Sequence, residues 1–264
     1  MPHLARVSWK PRADALRDGG AYPFSVPAVR ALEALDLEAD VTFFVGENGS
    51  GKSTLLEALA VAAELPSIGS DDAVDDATLA GPRALAGALR LAWSARTRRG
   101  FFLRAEDFFG YLRRQARNTA RLLREERERQ GRAPGAREGW SVDAGGVEPG
   151  EQRFLAELDG QSHGESFLAL FAERLGNGLY LLDEPEAPLS PQRQLTLLAM
   201  LGDAVRGGAQ FVVATHSPIL LAFPGARIYD FDATPVRATA YDALPHVTLT
   251  REFLAAPERF LRHL

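Results

Sequence analysis

An apolar run, Val41-Thr42-Phe43-Phe44-Val45, feeds directly into Gly46-Glu47-Asn48-Gly49-Ser50-Gly51-Lys52-Ser53-Thr54, and a helical pattern from Leu55 to Glu64 follows. Few local patterns constrain a fold as tightly. The loop satisfies G-x-x-x-x-G-K-[ST] at every fixed position. Its glycines let backbone N–H groups converge on phosphate oxygens, and the helix after it adds its positive N-terminal end. The expected ligand is a nucleoside triphosphate. Asn48, Gly49, Ser50 and Gly51 form the cradle, Lys52 reaches the β- and γ-phosphates, Ser53 offers its hydroxyl to Mg²⁺, and Thr54 supports the turn or the α-phosphate. Of the 30 basic residues only Lys10 and Lys52 are lysines, so an arginine-writing chain keeps an ammonium where a compact point charge is needed.

A chain of 264 residues with 46% hydrophobic and 25% charged residues has the make-up of an ordinary globular protein, and its length suits one α/β domain carrying an inserted lobe. No run approaches a membrane span and the N-terminus has no apolar signal core, so a cytoplasmic location is expected. Without cysteines there are no disulfides or thiolate metal sites, and His3, His163, His216, His246 and His263 are too scattered for a zinc motif. Mg²⁺ is the only metal implied. The net charge of −5 argues against a general nucleic-acid binder, although a local basic face remains compatible with it.

Along the chain, short extended stretches are expected around Val7–Trp9 and Tyr22–Val26, then a helical pattern through Val29, Leu32 and Leu35. Pro66–Pro82 reads as a loop, and a strand leads into Phe101–Leu103. From Ala105 to about Gly131 the pattern is helical. Its outer face is basic, with eight arginines against three glutamates between Arg113 and Arg132. That face reads as solvated and laced with i,i+4 pairs, or as a phosphate-backbone or partner contact. Gly131–Gly150 reads as an exposed loop, a helix follows Ser162–Glu165, and Arg251–Leu264 reads as a closing helix. Tyr22 and Phe24 are the aromatic candidates for stacking on a base.

Further carboxylates sit where a triphosphate needs them. Leu179–Leu182 is a continuous apolar run, as in a strand covered on both faces, and it delivers Asp183 and Glu184 to the strand's carboxyl end. Asp183 is placed to hold Mg²⁺, directly or through water, and Glu184 to polarise the attacking water. A second apolar run, Phe211–Thr215, brings His216 to the same edge, where it could donate to the γ-phosphate or to that water.

In this order the motifs resemble the ATP-binding-cassette (ABC) ATPases over nearly the whole chain. Their phosphate loop is similar to Gly46–Thr54, their signature loop to Gln161-Ser162-His163-Gly164-Glu165, their Walker B strand to Leu179–Glu184, and their switch histidine to His216. More closely, Thr42–Leu56, Phe101–Phe109, Ser162–Phe167 and Leu181–Gln194 resemble stand-alone bacterial ATPases distantly related to SMC-like and repair ATPases. The resemblance implies an α/β fold with a mostly parallel sheet flanked by helices, and a helical lobe at about 103–176 within a single 1–264 domain. It also implies an Mg²⁺-dependent ATPase with Lys52, Glu184 and His216 in catalysis. Two copies would face head to tail, with Ser162, Gly164 and Glu165 of one reaching the γ-phosphate on the other. Ser162-x-x-Glu165 is also a capping box, so an ordinary helix start is the plainer reading of those residues.

The chain departs from the family in three places. His163-Gly164-Glu165 stands for Gly-Gly-Gln, and Ala187–Pro191 lacks the aspartate of the D-loop. Leu103-Arg104-Ala105-Glu106 stands where a Q-loop glutamine is usual, leaving Glu106 as a metal-side group or a helix cap. The alternatives are the nucleotide-binding subunit of an ABC transporter and a DNA-repair or defence ATPase acting on nucleic acid. A non-hydrolysing switch and a small-molecule kinase account for fewer of the motifs.

Overall fold

The computed structural model describes residues 2–11, 13–18, 20–68, 80–108, 121 and 163–262. The expected basic helix face, the loop 131–150 and Ser162 lie outside them. In chain order the elements are β1 (Leu4–Trp9), α1 (Asp14–Asp18), α2 (Pro27–Arg30), β2 (Ala34–Asp36), β3 (Val41–Val45), α3 (Lys52–Ala62), β4 (Ser67–Ile68), α4 (Ala80–Ala88), β5 (Leu89–Trp93), β6 (Gly100–Arg104), α5 (His163–Arg174), β7 (Leu179–Asp183), α6 (Pro191–Arg206), β8 (Gln210–Ala214), α7 (Pro218–Leu221), β9 (Arg227–Asp230), β10 (Arg237–Thr239), α8 (Pro245–Ala255) and α9 (Pro257–Leu261).

Among the described residues the strands form two sheets. The larger has the order β10-β9-β3-β8-β7-β6-β4, parallel throughout except for the β10 edge. Its central strands β3, β7 and β8 are buried at every position, as their unbroken apolar runs require of parallel strands covered on both faces. Alternation divides each strand between two cores. Phe44, Leu181, Val212 and Ala214 join α3 and the smaller sheet on one face, whereas Phe43, Val45, Leu182 and Val213 join α5 and α6 on the other.

The smaller sheet, β2-β1-β5, is antiparallel and was not part of the expectation. Leu35 therefore lies on a strand, because α2 ends at Arg30 and the spacing of Val29, Leu32 and Leu35 follows a turn rather than a helix face. Residues 22–26 form a turn, not a strand. Pro82 lies inside α4, in the first turn, where its missing N–H costs nothing. At the C-terminus the closing helix is two helices. Ala256 precedes Pro257 and takes φ −152°, ψ 69°, outside the helical region that a following proline disfavours.

Gln210, the first residue of β8, is fully buried and joins the two sheets. Its Oε1 accepts from the backbone N–H groups of His3 (2.8 Å) and Leu4 (2.7 Å), and its Nε2 donates to the carbonyls of Leu4 (2.9 Å) and Leu37 (2.6 Å). Among the described residues no helix is long and apolar enough to cross a membrane.

Candidate nucleotide site

The strand order brings the carboxyl ends of β3, β6, β7 and β8 side by side, so the loop after β3 and the carboxylates after β7 share one edge. Gly51 caps α3 at φ 104°, a left-handed conformation, and a Cβ there would lie 2.7 Å from Val26 Cγ1. Glycine is therefore required by both the backbone and the packing. Lys52, the first residue of α3, is 4% exposed, and its Nζ donates to the carbonyls of Gly46 (2.7 Å) and Glu47 (2.9 Å). Burial lowers the lysine's pKa, against the pull of Glu184 and Asp183. Ser50 Oγ is buried with no hydrogen-bond partner among the described residues, and Asn48 is exposed at the crown of the loop.

Ser53 Oγ donates to Asp183 Oδ1 at 3.0 Å. Burial pushes the Asp183 carboxyl up to about 6, against the hydrogen bond from Ser53 and the charge of Arg104. Arg104 pairs with the buried Glu57 of α3, and its Nε lies 3.5 Å from Asp183 Oδ2. Ser53, Arg104, Glu106, Asp183 and Glu184 line a cavity of about 220 Å³. One hydroxyl and carboxylates are hard oxygen donors of the kind Mg²⁺ takes beside phosphates, and among the described residues no three His, Cys, Asp or Glu side chains form a denser metal cluster. The donor set fits Mg²⁺ accompanied by a triphosphate.

Glu184, just past β7, takes φ 49°, a strained conformation for a residue with a side chain. Its Oε1 lies 3.8 Å from His216 Nε2. Burial lowers the His216 pKa, and the Lys52 charge adds to the effect, so the imidazole is neutral near pH 7. Lys52, Ser53, Asp183, Glu184, His216 and Glu106 thus meet at one sheet edge. Thr54 Oγ1 is 3.3 Å from the hydroxyl of Tyr22, which is 57% exposed, whereas Phe24 is buried against Trp9. Of the two aromatic candidates only Tyr22 is exposed beside the loop, with its ring against Gly81.

The signature-like residues are arranged differently. α5 starts at His163, and Gly164 is buried, with a Cβ there 2.9 Å from Arg193 Cδ and 3.0 Å from the Pro188 carbonyl. The close approach Gly164 permits is to its own chain. Glu165 Oε1 accepts from Arg193 Nη2 at 2.6 Å.

Two side chains of the site escaped the sequence reading. Asp232, after β9, accepts from the Glu47 backbone N–H through Oδ1 (2.8 Å) and Oδ2 (3.1 Å) and so braces the phosphate loop from outside. Glu186 accepts at one oxygen from Thr215 Oγ1 (2.6 Å), His216 N (2.7 Å) and Ser217 N (3.2 Å). Their only sequence signal is a carboxylate just beyond an apolar strand.

Residues 24–71 match a family described as "AAA domain", and residues 165–222 one described as "AAA domain, putative AbiEii toxin, Type IV TA system". The hemin import ATP-binding protein HmuV of Rhodopseudomonas palustris is 28% identical over 253 residues, covering 90% of this chain and 94% of that protein. Among solved structures, a metal-chelate type ABC transporter in an inward-facing conformation aligns with 80% of this chain and 76% of its own at TM-score 0.40 and 17% identity. The SMC head domain from Thermotoga maritima aligns with 90% of this chain and 98% of its own at TM-score 0.43 and 16% identity. One AAA-domain match contains the phosphate loop, the other contains Asp183 and His216, and an ABC ATP-binding relative runs along most of the length: the chain is similar to P-loop ATPases of the AAA and ABC type.

Proposed function

We propose that this chain binds ATP with Mg²⁺ at Gly46–Thr54 and hydrolyses it, two copies closing head to tail around the nucleotide. The observation that carries this reading is the meeting of Ser53 with Asp183 at 3.0 Å, with Glu184 and His216 3.8 Å apart at the next position along the same edge. Lys52 exchanges its two carbonyl partners for phosphate oxygens, and the N-terminus of α3 adds its partial charge. Ser53 and Asp183 hold the metal, which supplies charge neutralisation to the phosphates. Glu184 takes the proton of the attacking water, and neutral His216 donates to the γ-phosphate or orients that water. Glu106 lines the same cavity, and a metal-side role is proposed for it in the place of a Q-loop glutamine.

Head-to-tail closure rests on the family likeness and on α5, whose N-terminus carries Gly164 and Glu165. Contacts across the dimer are proposed for Ser162, Gly164 and Glu165, the helical lobe for about 103–176, and a cytoplasmic site of action for the assembly. The experiment is the mass of Glu184→Gln by light scattering with and without MgATP, beside wild-type turnover. A monomer becoming a dimer only with MgATP supports the reading. Wild-type turnover by Glu184→Gln removes the assigned base, and an unchanged monomer removes the roles in trans. A second reading, an ATP-binding subunit serving a separate membrane protein, is favoured by the likeness to HmuV. Stimulation of turnover by a membrane protein encoded beside this one would select it.

A further inference from the structure

We propose that Glu186 is a positioning residue for His216, holding the turn that carries the imidazole from a segment belonging to a different strand. The inference rests on the nucleotide-site reading above and adds a part to it. Three donors converge on Glu186 Oε1, namely Thr215 Oγ1, His216 N and Ser217 N. A neutral amide oxygen accommodates two such donors well, and an ionised carboxylate oxygen accommodates three with charge assistance. The next layer comes from the helix after the same loop, where Ser217 Oγ donates to Gln194 Oε1 at 2.6 Å and accepts from Ile219 N and Leu220 N at 3.2 and 3.1 Å. The segment that follows β7 thus holds the turn at Thr215, His216 and Ser217.

The imidazole has no comparable tether of its own. His216 Nε2 is buried without a hydrogen-bond partner among the described residues, so its approach to Glu184 depends on where the backbone puts it. Glu186 faces neither Ser53 nor Asp183, and its other oxygen, Oε2, is buried and makes no hydrogen bond among the described residues. Burial raises the carboxyl's pKa, against the hydrogen bonds from the Thr215 hydroxyl and from the backbone N–H groups of Glu186 and His216. A half-buried carboxylate kept at this cost, with its side-chain hydrogen bonds directed to Thr215, His216 and Ser217, acts on the turn that carries the imidazole.

The test is a double-mutant cycle of E186Q and H216A on the full chain, with kcat, KM and the Kd for MgATP read for each. E186Q keeps the size of the side chain and weakens its acceptor. It is expected to lower kcat about tenfold while leaving Kd within about twofold, a coupling typical of residues in one network. Placed in an H216A background it is expected to cost nothing further. Equal loss in both backgrounds, or wild-type kcat for E186Q, overturns the proposal. An H216A enzyme at the wild-type rate overturns the histidine's assignment, and the proposal falls with it. A readout independent of turnover is the His216 ring ¹⁵N signal, which E186Q should shift and which an unchanged spectrum would contradict.

Discussion

The phosphate loop after β3 and the switch turn after β8 lie at one sheet edge and are built by opposite means. The loop is largely a backbone device: its shape comes from glycine conformations, its charge from a helix end and its lysine from the first helical residue, with the Asp232 side chain as its one outside brace among the described residues. The turn joins its own Ser217 cap to side chains of another segment, Glu186 and Gln194. A backbone-built half suits binding, since phosphate contacts are needed in every state. A half held by side chains suits a step that must be made and released.

If that division holds, substitutions at the turn end separate turnover from affinity, and those at the loop end do not. Glu184→Gln should show the largest effect, a fall in kcat of roughly 10²- to 10⁴-fold with MgATP still bound, read by single-turnover hydrolysis beside a nucleotide titration. Lys52→Ala should weaken nucleotide binding by about a hundredfold, the worth of one or two charge-assisted hydrogen bonds. Calorimetric titration reads that value, and a Lys52→Ala protein that binds normally but turns over slowly would break the comparison.

Asp183 stands between the two halves, and its test is one of stability. Its folded carboxyl titrates at about 6, above the ordinary 3.8, so the folded chain holds that proton more tightly than the unfolded one. The destabilisation is fully present above about pH 6 and disappears as pH falls toward 3.8. Asp183→Asn is expected to stabilise the nucleotide-free protein at pH 7 by about 3 kcal/mol, and the gain should shrink on acidification. Urea unfolding in chelator at pH 7 and pH 4.5 measures both. The smallest effect is expected of Tyr22→Ala, a two- to fivefold loss of ATP affinity of roughly the size of one aromatic contact, with little change in kcat.

The same division governs what could be read from the sequence. β3, β7 and β8 were legible because continuous apolar runs admit few structures other than covered parallel strands, and the loop between β3 and α3 because its glycines report backbone geometry. Lys52 and Ser53 were singled out by the loop motif, Asp183 and Glu184 by the end of an apolar strand, and His216 by a second such strand together with the family resemblance. Glu186 and Asp232 did not, since each acts on amides more than twenty-five positions away and carries no local mark of its partner. Leu35 was misplaced for a related reason: pairing with Val7 fixes β2, and three residues of strand are too few for their own pattern to announce it. Gly164 matched the signature by type, yet its neighbours are Pro188 and Arg193, a packing that the motif itself does not encode.

Gln210 carries a consequence for motion. One amide side chain, fully buried, spends its donors and acceptor on the backbones of β1 and of the segment entering β3, so the small sheet cannot slide along the large one without stranding several polar groups away from water. Whatever rearrangement nucleotide drives, these two sheets travel as one body. The amide protons of His3 and Leu4, near the chain's beginning, should exchange with solvent as slowly as those at its centre.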